Sequence, residues 1–114
     1  MVKLSRVQKS HSTKDKKFVD ITIKSAKGVA TLFAPAWDMV MGHKDGSYSD
    51  AQYTERYRAI LGTINKTTWQ WLHDQAEDGE VVLVCYCPDS NFCHTHLLID
   101  YACEHQSALF ERNS

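Results

Sequence analysis

The chain has 114 residues, with 13 Lys/Arg against 14 Asp/Glu for a net charge of −1, and 43% of its residues are apolar. That length and composition suit a single globular domain spanning residues 1–114 and exclude two independent cores or wholesale disorder. No apolar run approaches the roughly 18 residues of a membrane span, and Met1-Val2-Lys3-Leu4-Ser5-Arg6 lacks the apolar core of a secretion signal, so a cytoplasmic protein is expected.

The small net charge hides a division. Residues 1–27 carry eight Lys/Arg and two Asp, whereas residues 28–114 carry five and twelve. Residues 1–17 form a basic segment that is partly loop-like. Its Lys9, Lys14, Lys16 and Lys17 either attract phosphate, as in a nucleic acid, or keep a strand edge from aggregating.

Taken in chain order, Val2, Leu4 and Val7 hint at a first strand, and the polar residues 8–17 read as a loop. Phe18–Lys24 is rich in β-branched residues and predicts a second strand. Val29–Phe33 reads either as its hairpin partner or as a connection to a short helix near Trp37–Met41. Ser49, with Gln52 three residues on, has the pattern of a capping box. The helix it opens carries Tyr53, Tyr57, Ile60 and Leu61 on one face, and Gly62 marks its stop. Another helix is expected from Thr67 or Thr68, with Trp69, Leu72 and Ala76 along a stripe and Gly79 at its end. Trp71 falls off that stripe. Residues 80–86 read as a strand buried on both faces, which belongs at the centre of an α/β sheet. A loop from Cys87 to about Phe92 and a helix over 93–106 complete a small α/β layered domain.

The chemistry concentrates where that strand meets that helix. Cys85, Cys87, Cys93 and Cys103 fall within 19 residues. With no secretion signal, such clustering points to reduced thiols, a metal or a reactive site rather than to disulfides. Cys85 falls at the carboxyl end of the strand, where sites form in open α/β sheets. Cys93 and His94 open the helix, where free amides and the helix dipole favour thiolates and anions. Three readings stay open. Cys85, Cys93 and His94 could form a catalytic pocket, with His94 acting on the thiol. Cys87, Cys93, His94 and His96 could supply four zinc ligands, against which stand the missing Cys-x-x-Cys knuckle and the divergence of His94 and His96 on a helix. The cysteines could instead be buried hydrophobes, which suits Cys103 best. The layout also resembles Cys-dependent phosphatases and rhodaneses, but their loop ends in an Arg, and no Arg occurs between Arg58 and Arg112.

Leu83-Val84-Cys85-Tyr86-Cys87, followed by Phe92-Cys93-His94-Thr95-His96-Leu97-Leu98, resembles the signature of the domain-of-unknown-function 488 family. Phe33-Ala34-Pro35-Ala36-Trp37 is similar to its apolar-Pro segment. Gly46 with Tyr48–Tyr57 is similar to its Gly/Tyr stretch, and Asp20-Ile21-Thr22 to its Asp-containing strand. The resemblance covers roughly Lys17 to Cys103, and the short chain is also similar to a phage-encoded member. It implies a small Rossmann-like domain of three or two layers, with Cys85, Cys93 and His94 as the site. Thr95 stands where the family has Arg, and Cys87 where it often has an acidic residue. Losing the Arg removes a bidentate anion clamp. Val81–Gln106 contains no Lys or Arg, so a bound anion must use helix amides, His or a cation from elsewhere, for which the N-terminal arm, Arg56 and Arg58 are the candidates.

Two functions follow as expectations. One is a thiol-dependent enzyme or binding domain for a nucleotide-like or anionic small molecule, using Cys85, Cys93 and His94, with Trp37, Tyr53, Tyr57, Cys87 and His96 lining the site and no resident cofactor, or else a structural zinc. The other is a non-catalytic, phage-type effector of a host protein or nucleic acid, working through the basic arm.

Overall fold

Val81 to Cys85 is a run of five buried residues, and a strand buries both faces only inside a sheet. In the computed structural model, which describes residues 1–87 and 92–113, β3 (Glu80–Cys85) is such a strand. It lies between β1 (Val2–Gln8) and β2 (Phe18–Asp20), and β4 (Phe110–Arg112) pairs with the far edge of β1. All three pairings are parallel, and β1 runs beside β3 from Lys3↔Glu80 to Gln8↔Cys85. The first strand, weakly marked in sequence but seven residues long, is therefore one of the two interior strands.

Four α-helices connect the strands: α1 (Trp37–Asp45), α2 (Asp50–Gly62), α3 (Lys66–Asp74) and α4 (His94–His105). The capping box is present in full at α2. The Ser49 hydroxyl accepts from the Gln52 amide at 3.1 Å, and Gln52 Oε1 accepts from the Ser49 amide at 2.9 Å. The next helix starts earlier than Thr67, because Asn65 Oδ1 caps it by accepting from the Thr68 amide at 2.9 Å. Gly79 does not end that helix. With φ of 53° at Asp78 and 76° at Gly79, the two residues make a tight turn between Glu77 and Glu80, as mirror-image turns require.

The hairpin reading is overturned. β2 stops at Asp20, whose Oδ1 accepts from the Thr22 amide at 2.9 Å and the Thr22 hydroxyl at 2.7 Å. Such local bonds draw a backbone out of a ladder. Gly28–Phe33 is a 3-10 helix, and its period of three lets Ala30 and Phe33 bury together.

The core forms on one face of the sheet. Val2, Leu4, Val19, Val81, Leu83 and Phe110 join it, whereas Val82 and Val84, equally buried, alternate to the other face. On the core face α4 packs on the strands and α2 against α4. Trp69 of α3 sits centrally, edge-on to Phe33 at 5.1 Å and Phe110 at 6.2 Å, and stacked on Tyr101 at 6.0 Å. No helix among the described residues is long and apolar enough to cross a membrane.

β4 had no counterpart in the sequence reading, yet its Phe110 is 1% exposed and plugs the core beside Trp69. Phe110→Ala is expected to lower unfolding free energy by about 3 kcal/mol, measured by urea titration. A loss well under about 1 kcal/mol would show that β4 is not part of the cooperative fold.

Candidate active site

Three strand ends and one helix start meet here. β1 brings Arg6, β2 leads into Ile21, β3 ends on Cys85, and Cys93 is the N-cap of α4. The parallel register explains the first of these. Val2, Leu4, Arg6 and Gln8 share one side of β1, the side of Val81, Leu83 and Cys85. Arg6 therefore extends along the same face that Cys85 occupies at the strand end.

The two sulfurs Cys85 Sγ and Cys93 Sγ lie 3.1 Å apart, and the residues are 1% and 4% exposed. Arg6 Nη2 donates to Cys85 Sγ and, at 2.7 Å, to the carbonyl of Cys87. Its Nε donates to Thr95 Oγ1 at 3.1 Å. Thr95 Oγ1 in turn donates to Cys93 Sγ at 3.4 Å. Guanidinium, hydroxyl and two sulfurs make one continuous polar cluster, each partner within bonding reach of the next. Among the described residues, no buried side-chain nitrogen or oxygen lacks a partner.

This arrangement splits the two thiols. Hydrogen bonding from Cys85 lowers the Cys93 pKa, outweighing burial, with help from the Thr95 hydroxyl and amide. Hydrogen bonding to Cys93 raises Cys85 well above the ordinary thiol range, as does burial, while Arg6 and Thr95 oppose the rise. The two shifts run in opposite directions, as in a coupled pair whose protons leave in two steps. The helix N-terminus also favours the charged form of Cys93.

His94 has a different role from a charged partner. Its Nε2 lies 2.9 Å from the carbonyl of Ile21, so Nε2 carries the proton and donates. Nδ1, left as an acceptor, faces Cys93 Sγ at 3.7 Å. Burial lowers the His94 pKa, partly countered by that carbonyl. The ring is neutral at neutral pH, and Tyr57 braces it edge-on at 5.6 Å.

The other expected site residues divide. Tyr57 is buried and donates from its hydroxyl to the carbonyl of Phe33 at 2.6 Å. Tyr53 packs on Phe92 at 5.5 Å and His43 at 5.4 Å. Burial, then the nearby Cys93, Cys87 and Cys85, raises its phenol pKa. Cys87 belongs to the cluster, its ligand atom within 4.8 Å of those of Cys85 and Cys93. Trp37 is 50% exposed at the start of α1. His96 is half-buried in the first turn of α4. The four-ligand zinc set is not what assembles: the group able to hold a metal among the described residues is Cys85, Cys87 and Cys93. Residues 88–91 of the expected loop lie outside the described residues. Cys103 sits half-buried late in α4.

The missing cation comes from Arg6. Arg56 instead pairs with Asp38 and Tyr48, and Arg58 with Glu104 at 3.3 Å. Of the arm lysines, Lys9 pairs with Asp20 at 2.8 Å and Lys17 with Glu80 at 4.0 Å. Lys14 and Lys16 are exposed. Asp20 also accepts from Ser25, whose hydroxyl accepts a hydrogen bond from the Tyr86 phenol at 2.9 Å. One signal for Arg6 was available: a cation on the inward row of a strand, directly after Val2 and Leu4.

The depressed His94 value carries a sign. Favouring the neutral ring stabilises the fold at neutrality, and this contribution is lost as the pH falls from about 6.5 through the folded-state value. Proton NMR titration is expected to place His94 below that unperturbed value of about 6.5. A His94 midpoint above it would mean a charged ring and contradict the neutral assignment.

The model of the DUF488-N3a family, described as the active DUF488-N3 subclade, matches residues 5–106. No curated protein and no solved structure matches the chain. The match takes in every residue of the cluster, from Arg6 to Thr95, and the chain belongs to the DUF488-N3a family.

Proposed function

We propose that the protein is a thiol-dependent enzyme acting on a small anionic molecule, with Cys93 as nucleophile. The observation that carries this reading is the contact of Cys85 and Cys93 at 3.1 Å beneath the Arg6 guanidinium. Arg6 bonds the neighbouring Cys85 sulfur and the Thr95 hydroxyl that donates to Cys93, so its charge sits beside the nucleophile and draws anions to the sulfur pair. Cys85 lies against the Cys93 sulfur, Thr95 donates to it, and His94 accepts or returns a proton through Nδ1. Arg6 thereby takes the place of the Arg whose position in the motif Thr95 fills.

A second reading has its own observation. Cys85, Cys87 and Cys93 offer three soft ligands, enough for zinc with an open fourth position. The Arg6 contact weighs against it, because a divalent cation on Cys85 would have to displace a guanidinium already bonded there. The effector reading draws on the exposed Lys14 and Lys16, but Lys9 and Lys17 are already engaged by carboxylates.

Two alkylating reagents of similar shape separate these readings. Iodoacetate is anionic and iodoacetamide neutral, so a cation at the sulfur raises the iodoacetate-to-iodoacetamide rate ratio at Cys93. Arg6→Gln is expected to lower that ratio about tenfold, close to the loss of one charged hydrogen bond. An unchanged ratio in a folded Arg6→Gln variant would remove Arg6 from anion recognition. Stoichiometric zinc retained by the purified protein after chelator treatment would replace the thiolate reading with the metal one.

A further inference from the structure

The cluster contains more than a lone nucleophile requires. A thiolate attacking an ordinary electrophile needs no second thiol in contact with it. Here a second free thiol lies 3.1 Å from the first, which is about 1 Å beyond a disulfide bond length. Around that pair stand a hydroxyl donor, Thr95, and a guanidinium, Arg6, linked to each other at 3.1 Å. Donors so placed stabilise negative charge that develops on an oxygen leaving the sulfur's reach. We propose that the Cys93–Cys85 pair reduces hydroperoxides, with Cys93 as the attacking sulfur and Cys85 as the resolving one.

The chemistry balances in two steps. The Cys93 thiolate attacks one peroxide oxygen: an S–O bond forms, the O–O bond breaks, and the departing hydroxide or alkoxide takes a proton from solvent. Cys93 is then a sulfenic acid. The Cys85 sulfur attacks Cys93: the S–S bond forms, the S–O bond breaks, and the hydroxyl leaves as water with the Cys85 proton. Two electrons pass from the thiols to the peroxide. An external dithiol returns the disulfide to two thiols by exchange.

Position in the fold assigns the roles, and burial limits the substrate. Cys93 is the N-cap of α4 and Cys85 the end of β3, and neither residue is more than 4% exposed. Such restricted access suits hydrogen peroxide and small alkyl hydroperoxides. Cys85, held by Arg6 and already against Cys93, needs little movement to resolve the sulfenic acid.

The inference rests on the same Cys93 thiolate as the proposed function, and the test separates them. Hydrogen peroxide consumption is followed with dithiothreitol as reductant, beside the alkylation assay. The wild-type protein and Cys103→Ser are expected to turn over, and peptide mapping to find a Cys85–Cys93 disulfide after peroxide. Cys93→Ser is expected to lower the consumption rate at least about tenfold, the scale on which thiolate character controls such reactions. Cys85→Ser, given peroxide in the absence of dithiothreitol, is expected to consume one equivalent and leave a Cys93 sulfenic acid that dimedone traps. Circular dichroism establishes that each variant is folded, and Thr95→Val gives an independent arm that slows oxidation while keeping both cysteines. If Cys93 is alkylated rapidly by iodoacetate but peroxide consumption equals that of Cys93→Ser, peroxide reduction is refuted and the anionic-substrate reading stands. If Cys93 reacts with neither reagent, both fail together.

Discussion

A guanidinium against a buried pair of sulfurs is the constraint around which this end of the fold is arranged. Arg6 and Cys85 are 79 positions apart in sequence. They meet because β1 and β3 run parallel in a register that puts both side chains on one face. Burying a charge without a partner costs several kcal/mol. Here the cation finds sulfur, a hydroxyl and a carbonyl, and the Cys93 sulfur finds Cys85, the Thr95 hydroxyl and the first turn of α4. Neither half of the cluster would be tolerable at this depth alone.

The surrounding architecture serves to hold that geometry. Tyr57 is locked by its bond to the Phe33 carbonyl and props the His94 ring. His94 is fixed again by the Ile21 carbonyl, immediately after β2 ends. The Asp20–Thr22 bonds that stop β2 therefore also deliver the carbonyl that sets the His94 tautomer. The one-sided core, with Trp69 touching Phe33, Tyr101 and Phe110, clamps α3, α4 and β4 together beneath it.

Local signals were legible wherever they act through near neighbours. The Ser49/Gln52 capping box, the interior strand of β3 and the strand-end and helix-start cysteines all follow from residues close in sequence. What the residues alone did not disclose depends on distant pairing. β-branched content suggested a long second strand, but Asp20 bonding to Thr22 won over propensity. Three residues at β4, two of them charged, show no strand periodicity until β1 offers them an edge. Arg6 looked like part of a solvated basic arm, because only the β1–β3 register reveals its inward direction. In the metal-capable group Cys85, at the end of β3, stands in place of the two histidines of the expected zinc set.

The central claim is that Cys85 and Cys93 titrate as one pair, Cys93 losing its proton below the ordinary thiol value and Cys85 above it. Ultraviolet thiolate absorbance followed across pH reads this directly, in the wild-type protein and in Cys93→Ser. The account predicts one thiolate equivalent appearing below the ordinary thiol value of about 8.5, absent from Cys93→Ser. A wild-type curve in which every thiol titrates at or above about 8.5, superimposable on that of Cys93→Ser once one thiol is subtracted, would contradict it.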